Sequence, residues 1–209
     1  MSAGESEDSL DPRAVALLRF WFGDDFDAAT IAEGAERRWF AGGPAMDAEC
    51  ARRFGADLAA AARGELDHWA ATPRGRLALV LLLDQLSRNV WRGTPAAFAQ
   101  DAAARRLAAE AVERGLDRAL TAPQRAFLYL PFEHGESLAD QRRSVALFES
   151  LAREVPERDR VAFERSADFA RRHAAIIERF GRFPHRNAIL GRESTAEELA
   201  FLAEPGSSF

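Results

Sequence analysis

The chain has 209 residues, with 28 basic and 33 acidic side chains, a formal net charge of -5 and an apolar fraction of 47 %. That length suits one sizeable core and is short for two full domains, and the composition is globular, not disordered. The acidic balance argues against a general electrostatic grip on nucleic acid or on an anionic membrane. Cys50 is the single cysteine, which excludes an intramolecular disulfide and any multi-cysteine metal site and suits a reducing compartment. All 28 basic residues are arginine, alongside 43 alanines. Genomic base composition is the plain cause of that bias. The absence of lysine nevertheless rules out Schiff-base chemistry, a pyridoxal-phosphate anchor and a phosphate-loop lysine.

Residues 1–10 read as a short acidic disordered tail, and 11–209 as a single helical domain. Met1 to Ser9 lacks the positive start and apolar run of a signal peptide. The longest apolar stretch, Leu77 to Leu83, falls far short of the roughly 18 residues of a membrane span. A soluble, cytoplasmic protein is the expectation. From Asp11 onward nearly every element has helical signals. Asp11-Pro12, Thr72-Pro73 and Thr94-Pro95 place a capping side chain before a proline at the first helical position. Thr121 with Gln124, and Ser194 with Glu197, have capping-box spacing. Apolar spacing predicts helices near 12–22, 30–40, 45–62, 73–90, 100–114, 122–130, 137–154, 159–180 and 195–203. The segment Leu77–Leu83 is apolar all round, which predicts a central buried helix. On the helix at 159–180, Phe169, His173, Ile176, Ile177 and Phe180 mark the expected buried face. No strand pattern with hairpin turns is present. The fold class expected is all-α, a compact stack of antiparallel helical hairpins with eight to ten helices.

Three segments are polar where a helical core favours apolar residues. In the first, Asp84, Gln85, Arg88 and Asn89 follow the most apolar helix, with Asp84/Arg88 and Gln85/Asn89 each at i, i+4. They read either as a buried ion pair with a cap, or as a pocket wall. The second is Tyr129-Leu-Pro-Phe-Glu-His-Gly-Glu136, where two carboxylates flank His134 between a proline and a glycine that predict an irregular backbone. Such a group reads as a structural turn, as a general acid and base or binding group, or as ligands to a divalent metal. Its spacing does not match a histidine pair on one helix, so no metal site is assigned, and the sequence names no cofactor. The third runs from Arg171 to Arg192, with six arginines against one acid. Arginine forks suit carboxylate or phosphate. Arg165, Arg172 and Arg179 read as a solvated ladder, leaving Arg182 and Arg186 as pocket candidates beside His185 and Asn187. His173, on an apolar stripe, is either a satisfied core histidine or part of the same cavity.

The stretches FWFG at 20–23, PRGRLALVLLLDQLSRNVWRGTPAAFAQD at 73–101, YLPFEHGE at 129–136 and HAAIIERFGRFPHRNAILGR at 173–192 resemble the bacterial domain-of-unknown-function family 924. STAEELAFL at 194–202 closes a resemblance that runs from about Asp11 to Ala203. In the middle motif His134 and Glu136 fit the family pattern, whereas Glu133 and Gly135 depart from it, which makes Glu133 a poorer candidate for shared chemistry. The resemblance implies an all-helical fold similar to tetratricopeptide-like superhelices, and no activity. The polar positions it shares with the residue-level reading are Asp84, Gln85, Arg88, Asn89, His134, Glu136, His173, Arg182, His185, Arg186 and Asn187.

Two classes of function follow. In one, His134, Glu136, His173 and His185 are acid–base groups, and Asp84, Gln85, Arg88, Asn89, Arg182, Arg186 and Asn187 bind a small anion within one cavity. Cys50 has no adjacent histidine, so covalent catalysis is disfavoured. In the other, the protein is a helical scaffold that takes an acidic peptide or a protein partner in a concave groove.

Overall fold

The computed structural model describes residues 10–31, 34, 35, 39 and 43–207. They are all-helical, with no strand among the described residues. The helices are α1 (Pro12–Phe22), α2 (Gly43–Ala62), α3 (Pro73–Val80), α4 (Ser87–Val90), α5 (Asp101–Glu113), α6 (Ala122–Glu133), α7 (Leu138–Glu154), α8 (Glu157–Phe180) and α9 (Ala196–Leu202). Residues 1–9 of the predicted tail at 1–10, and most of the predicted helix at 30–40, lie outside the described residues; Leu10, the last residue of that tail, is buried.

The caps form for the reasons the sequence implies. Asp11 accepts the Arg13 N–H at the start of α1, and Thr72 accepts the Gly75 N–H at 3.1 Å at the start of α3, each before a proline that needs no partner. Thr94-Pro95 opens only a short 3₁₀ turn, Pro95–Phe98. At α9 the capping box lies one residue later than expected, on Thr195 and Glu198.

The chain divides into two compact units, residues 1–92 with 96–131, and residues 93–95 with 132–209. The boundary between residues 131 and 132 falls inside α6, where no linker composition marks it. In the first unit the continuous rod α3–α4 is central, packed by α1, α2 and α5. Every residue from Leu77 to Leu82 is fully buried, as a helix apolar on all sides requires. The rod widens into a π-helical turn at Leu81–Leu86. Such a turn loosens the regular backbone ladder, and here side chains meet the carbonyls: Ser87 Oγ lies 2.7 Å from the Leu83 oxygen, and Arg88 donates to the Asp84 oxygen at 2.8 Å. Gly75 lets the 3₁₀ turn Asp67–Ala71 approach the start of α3, since a Cβ there would lie 2.3 Å from the Trp69 oxygen.

In the second unit α7 and α8 form an antiparallel hairpin joined through Val155 and Pro156. The buried row of α8 is Phe163, Ala167, Ala170, His173, Ile176 and Ile177. Phe169 departs from the predicted stripe: it is 41 % exposed and lies beneath the Arg172 guanidinium at 5.2 Å. The helical period centres the buried face on residues 163, 167, 170 and 177, which turns position 169 outward. Gly181, at φ 70°, ends α8 in the left-handed region and turns the chain into the segment that carries His185. No described helix is long and apolar enough to cross a membrane.

Candidate functional site

In the first unit, Asp84 and Arg88 face inward and are paired. Asp84 is fully buried, with Arg88 Nη1 at 3.3 Å and Gln85 Nε2 donating at 2.6 Å. Arg88, 19 % exposed, also grips Asp101 with both terminal nitrogens, at 2.8 and 3.0 Å. Asn89 donates to Asp47 Oδ1 at 2.8 Å, and Arg92 forks onto both oxygens of the same carboxylate at 2.6 and 2.9 Å. Arg92, with Asn89, keeps the Asp47 carboxyl below the usual carboxylate range. Asp101 and Asp47 are the partners the sequence conceals, because they come from other helices at unpatterned separations.

The backbone at 129–136 is helical further than expected. Pro131 sits inside α6, which runs on to Glu133. The reason lies in α7: the Gln141 amide reaches back and donates to the Phe132, Glu133 and Gly135 oxygens at 3.4, 2.7 and 2.6 Å, satisfying the carbonyls of the helix end.

Three predicted residues of the second unit hold the segment 181–195 in place. Glu136 accepts the Phe183 N–H at 2.8 Å and both terminal nitrogens of Arg192 at 2.6 and 2.9 Å. Burial works against its charge, but Arg192, the Phe183 N–H and Arg186 together hold its carboxyl below the usual range. Arg182 forks onto Glu198 at 2.7 and 2.8 Å. Asn187 lies between the two carboxylate centres, accepting from Arg192 Nε at 2.9 Å and donating to Ser194 Oγ at 2.9 Å and Glu198 at 3.3 Å. Glu198 also closes the cap of α9, and its carboxyl is pulled down to about 2, first by Arg182 and then by the Thr195 N–H. The sequence spacing Thr195–Glu198 offered a signal for Glu198. Arg192 was visible only as one arginine among six.

His173, His185 and Arg186 gather around Phe183, which is fully buried, and His134 lies close enough for its field to reach both histidines. The His173 ring meets Phe183 edge-on with centroids 5.5 Å apart, and His185 lies tilted at 5.6 Å. The Arg186 guanidinium is 4.5 Å from the same ring and donates to the His134 oxygen at 3.0 Å. His173 Nδ1 faces the Phe169 oxygen at 2.9 Å and Glu133 Oε1 at 3.3 Å, both side chains of that pair being buried. Two acceptors at Nδ1 place the proton there in the neutral ring, so Nε2 carries the lone pair. Burial first, then the fields of His134, Arg186 and His185, push His173 down to about 3. Burial, Arg186 and His134 bring His185 to about 4, against an opposing pull from Glu136. Glu133, the weaker candidate by family pattern, is thus the carboxylate beside His173. The expected cavity draws Asp84, Gln85, Arg88 and Asn89 from the first unit and its other members from the second.

A recess of about 560 Å³ lies elsewhere on the second unit, along α7 and α8, lined by Glu149, Ala152, Arg153, Arg160, Glu164, Ala167 and Arg171. Cys50 is buried, and burial raises its thiol to about 11, so it is no nucleophile at neutral pH. Among the described residues no three histidine, cysteine or carboxylate side chains are grouped to hold a metal ion.

These features define an all-helical protein with a half-buried imidazole–guanidinium cluster in its second unit. The chain belongs to the family described as "Bacterial protein of unknown function (DUF924)", which matches residues 17–206. It is similar to a solved structure, a protein of unknown function, ATU0120, from Agrobacterium tumefaciens, with 39 % identity and a TM-score of 0.77. That match covers 91 % of this chain and 96 % of the other. No curated protein matches the chain.

Proposed function

We propose that the second unit binds a small anionic molecule at the cluster of His134, His173, His185 and Arg186, with the imidazoles as proton carriers. The observation that carries this reading is the crowding of basic groups: the His173 and His185 rings and the Arg186 guanidinium lie 5.5, 5.6 and 4.5 Å from the Phe183 ring, and burial first, then their mutual repulsion, keeps both imidazoles below their ordinary range. An anion seated among them relieves that repulsion, so binding and proton uptake are coupled. Glu133 fixes the His173 tautomer, which leaves Nε2 as the proton acceptor, and Arg186 supplies a permanent charge. General acid–base chemistry or hydrolysis of a small anion fits these groups better than covalent catalysis, because no activated nucleophile accompanies them.

The test is a histidine NMR titration with phosphate in one arm and acetate in the other, alongside native mass spectrometry of the protein mixed with a metabolite extract. The expected result is that an anion raises the His173 and His185 midpoints and binds more tightly as pH falls. Midpoints that stay in place at saturating anion refute the reading.

A second reading, a helical scaffold for an acidic peptide, draws support from the recess along α7 and α8 with its three arginines. Salt-sensitive anisotropy of a labelled acidic peptide, lost in Arg153→Glu, is the expected signature of that role.

A further inference from the structure

The geometry points to Arg192 as the positioning residue of the turn that carries His185 and Arg186. That turn, Pro184–Arg186, has only three residues, with Phe183 before it and Asn187 after it. A 3₁₀ turn of this length has poor hydrogen-bond geometry and little stability of its own. Arg192 grips both of its ends. Nη2 donates to the Phe183 oxygen at 3.1 Å, and Nε donates to Asn187 Oδ1 at 2.9 Å. The Arg192 backbone N–H adds a bond to the Asn187 oxygen at 2.8 Å. The same guanidinium is anchored on both oxygens of Glu136, which in turn accepts the Phe183 N–H.

A planar fork with several donors engaged in one plane has a single orientation. The three residues between its grips are Pro184, His185 and Arg186, and the hold on Phe183 sets the ring against which His185, Arg186 and His173 pack. A lysine at this position keeps the charge and can keep the contact with Glu136, but its point-like ammonium cannot span Phe183 and Asn187 together. The charged and titratable groups that face His185 are Arg186, Glu136, His134, Arg192 and His173. Charge alone and position therefore make different forecasts for Arg192→Lys. The importance of this role for ligand binding rests on the anion reading proposed above, whereas the positioning itself does not.

The experiment is a pH titration of the histidine NMR signals in the full chain, for the wild type, Arg192→Lys and Asn187→Ala. The wild-type His185 signal is expected to titrate near 4. In Arg192→Lys the turn loosens and His185 gains water, so its midpoint climbs by at least about one unit toward the ordinary value near 6.5. Asn187→Ala removes one grip and leaves Arg192 on Glu136, and it shifts the midpoint in the same direction. Circular dichroism verifies that each variant is folded; should Arg192→Lys fail that check, Asn187→Ala decides. A His185 midpoint unmoved in the folded variants overturns the positioning role. Phosphate added to the wild type gives a separate answer: no response there ends the anion reading and leaves the variant shifts to stand or fall alone.

Discussion

Arg88→Ala gives the most direct check on how the central rod of the first unit is held. The substitution removes the guanidinium 3.3 Å from the fully buried Asp84 carboxylate, a hydrogen bond to the Asp84 oxygen in the π-helical turn, and the two-point contact with Asp101. Stripping one partner from a buried ion pair costs about 3–5 kcal/mol, because the remaining charge stays desolvated. Asp101 is 20 % exposed and regains water, so the burden falls on Asp84. With a urea slope of about 2 kcal/mol per molar, the midpoint drops by roughly 2 M. The double variant Asp84→Asn/Arg88→Ala removes the stranded charge and is expected to recover part of the loss, a coupling that a double-mutant cycle isolates. A urea midpoint for Arg88→Ala within experimental error of the wild type refutes the reasoning and means that the pair carries no net stabilisation.

Two further outcomes follow. Gly75→Ala puts a methyl 2.3 Å from the Trp69 oxygen, so the 3₁₀ turn has to withdraw from α3. A loss of about 1–3 kcal/mol in chemical denaturation is expected, and a neutral variant would show that the contact yields freely. His173 has a folded midpoint of about 3 against an ordinary 6.5, so the unfolded chain takes up a proton first. Its contribution is complete above pH 6.5 and is lost as pH falls from there to about 3. His173→Phe should therefore flatten that limb of the stability profile, and an unchanged pH dependence sinks the assignment.

The helices were legible in the sequence because their signals are local. Asp11-Pro12 and Thr72-Pro73 announce their own starts, Gly181 its own stop, and Leu77–Leu83, following the Thr72-Pro73 cap, reads as a buried helix. The pairing of Asp84 with Arg88 was likewise readable, since i, i+4 spacing at the end of such a helix leaves two buried charges little choice. Phe169 shows the edge of that reasoning: with apolar or ambiguous residues on more than one row of α8, only packing against α7 decides which row is buried. The carboxylates are clearer still. Asp101 on Arg88, Asp47 on Asn89 and Arg92, Glu136 on Arg192 and Glu198 on Arg182 span 13 to 56 residues of chain. An arginine in a sequence shows what it can bind but not whether a carboxylate of its own fold has already taken it. By itself the sequence determined the helical class, the family resemblance and the residue types that gather at the site. The tertiary structure alone decided that Arg88 also binds Asp101 and Arg182 binds Glu198, that Arg192 grips the His185 turn, and that Glu133 stands beside His173, because each depends on distances between elements that no local pattern encodes.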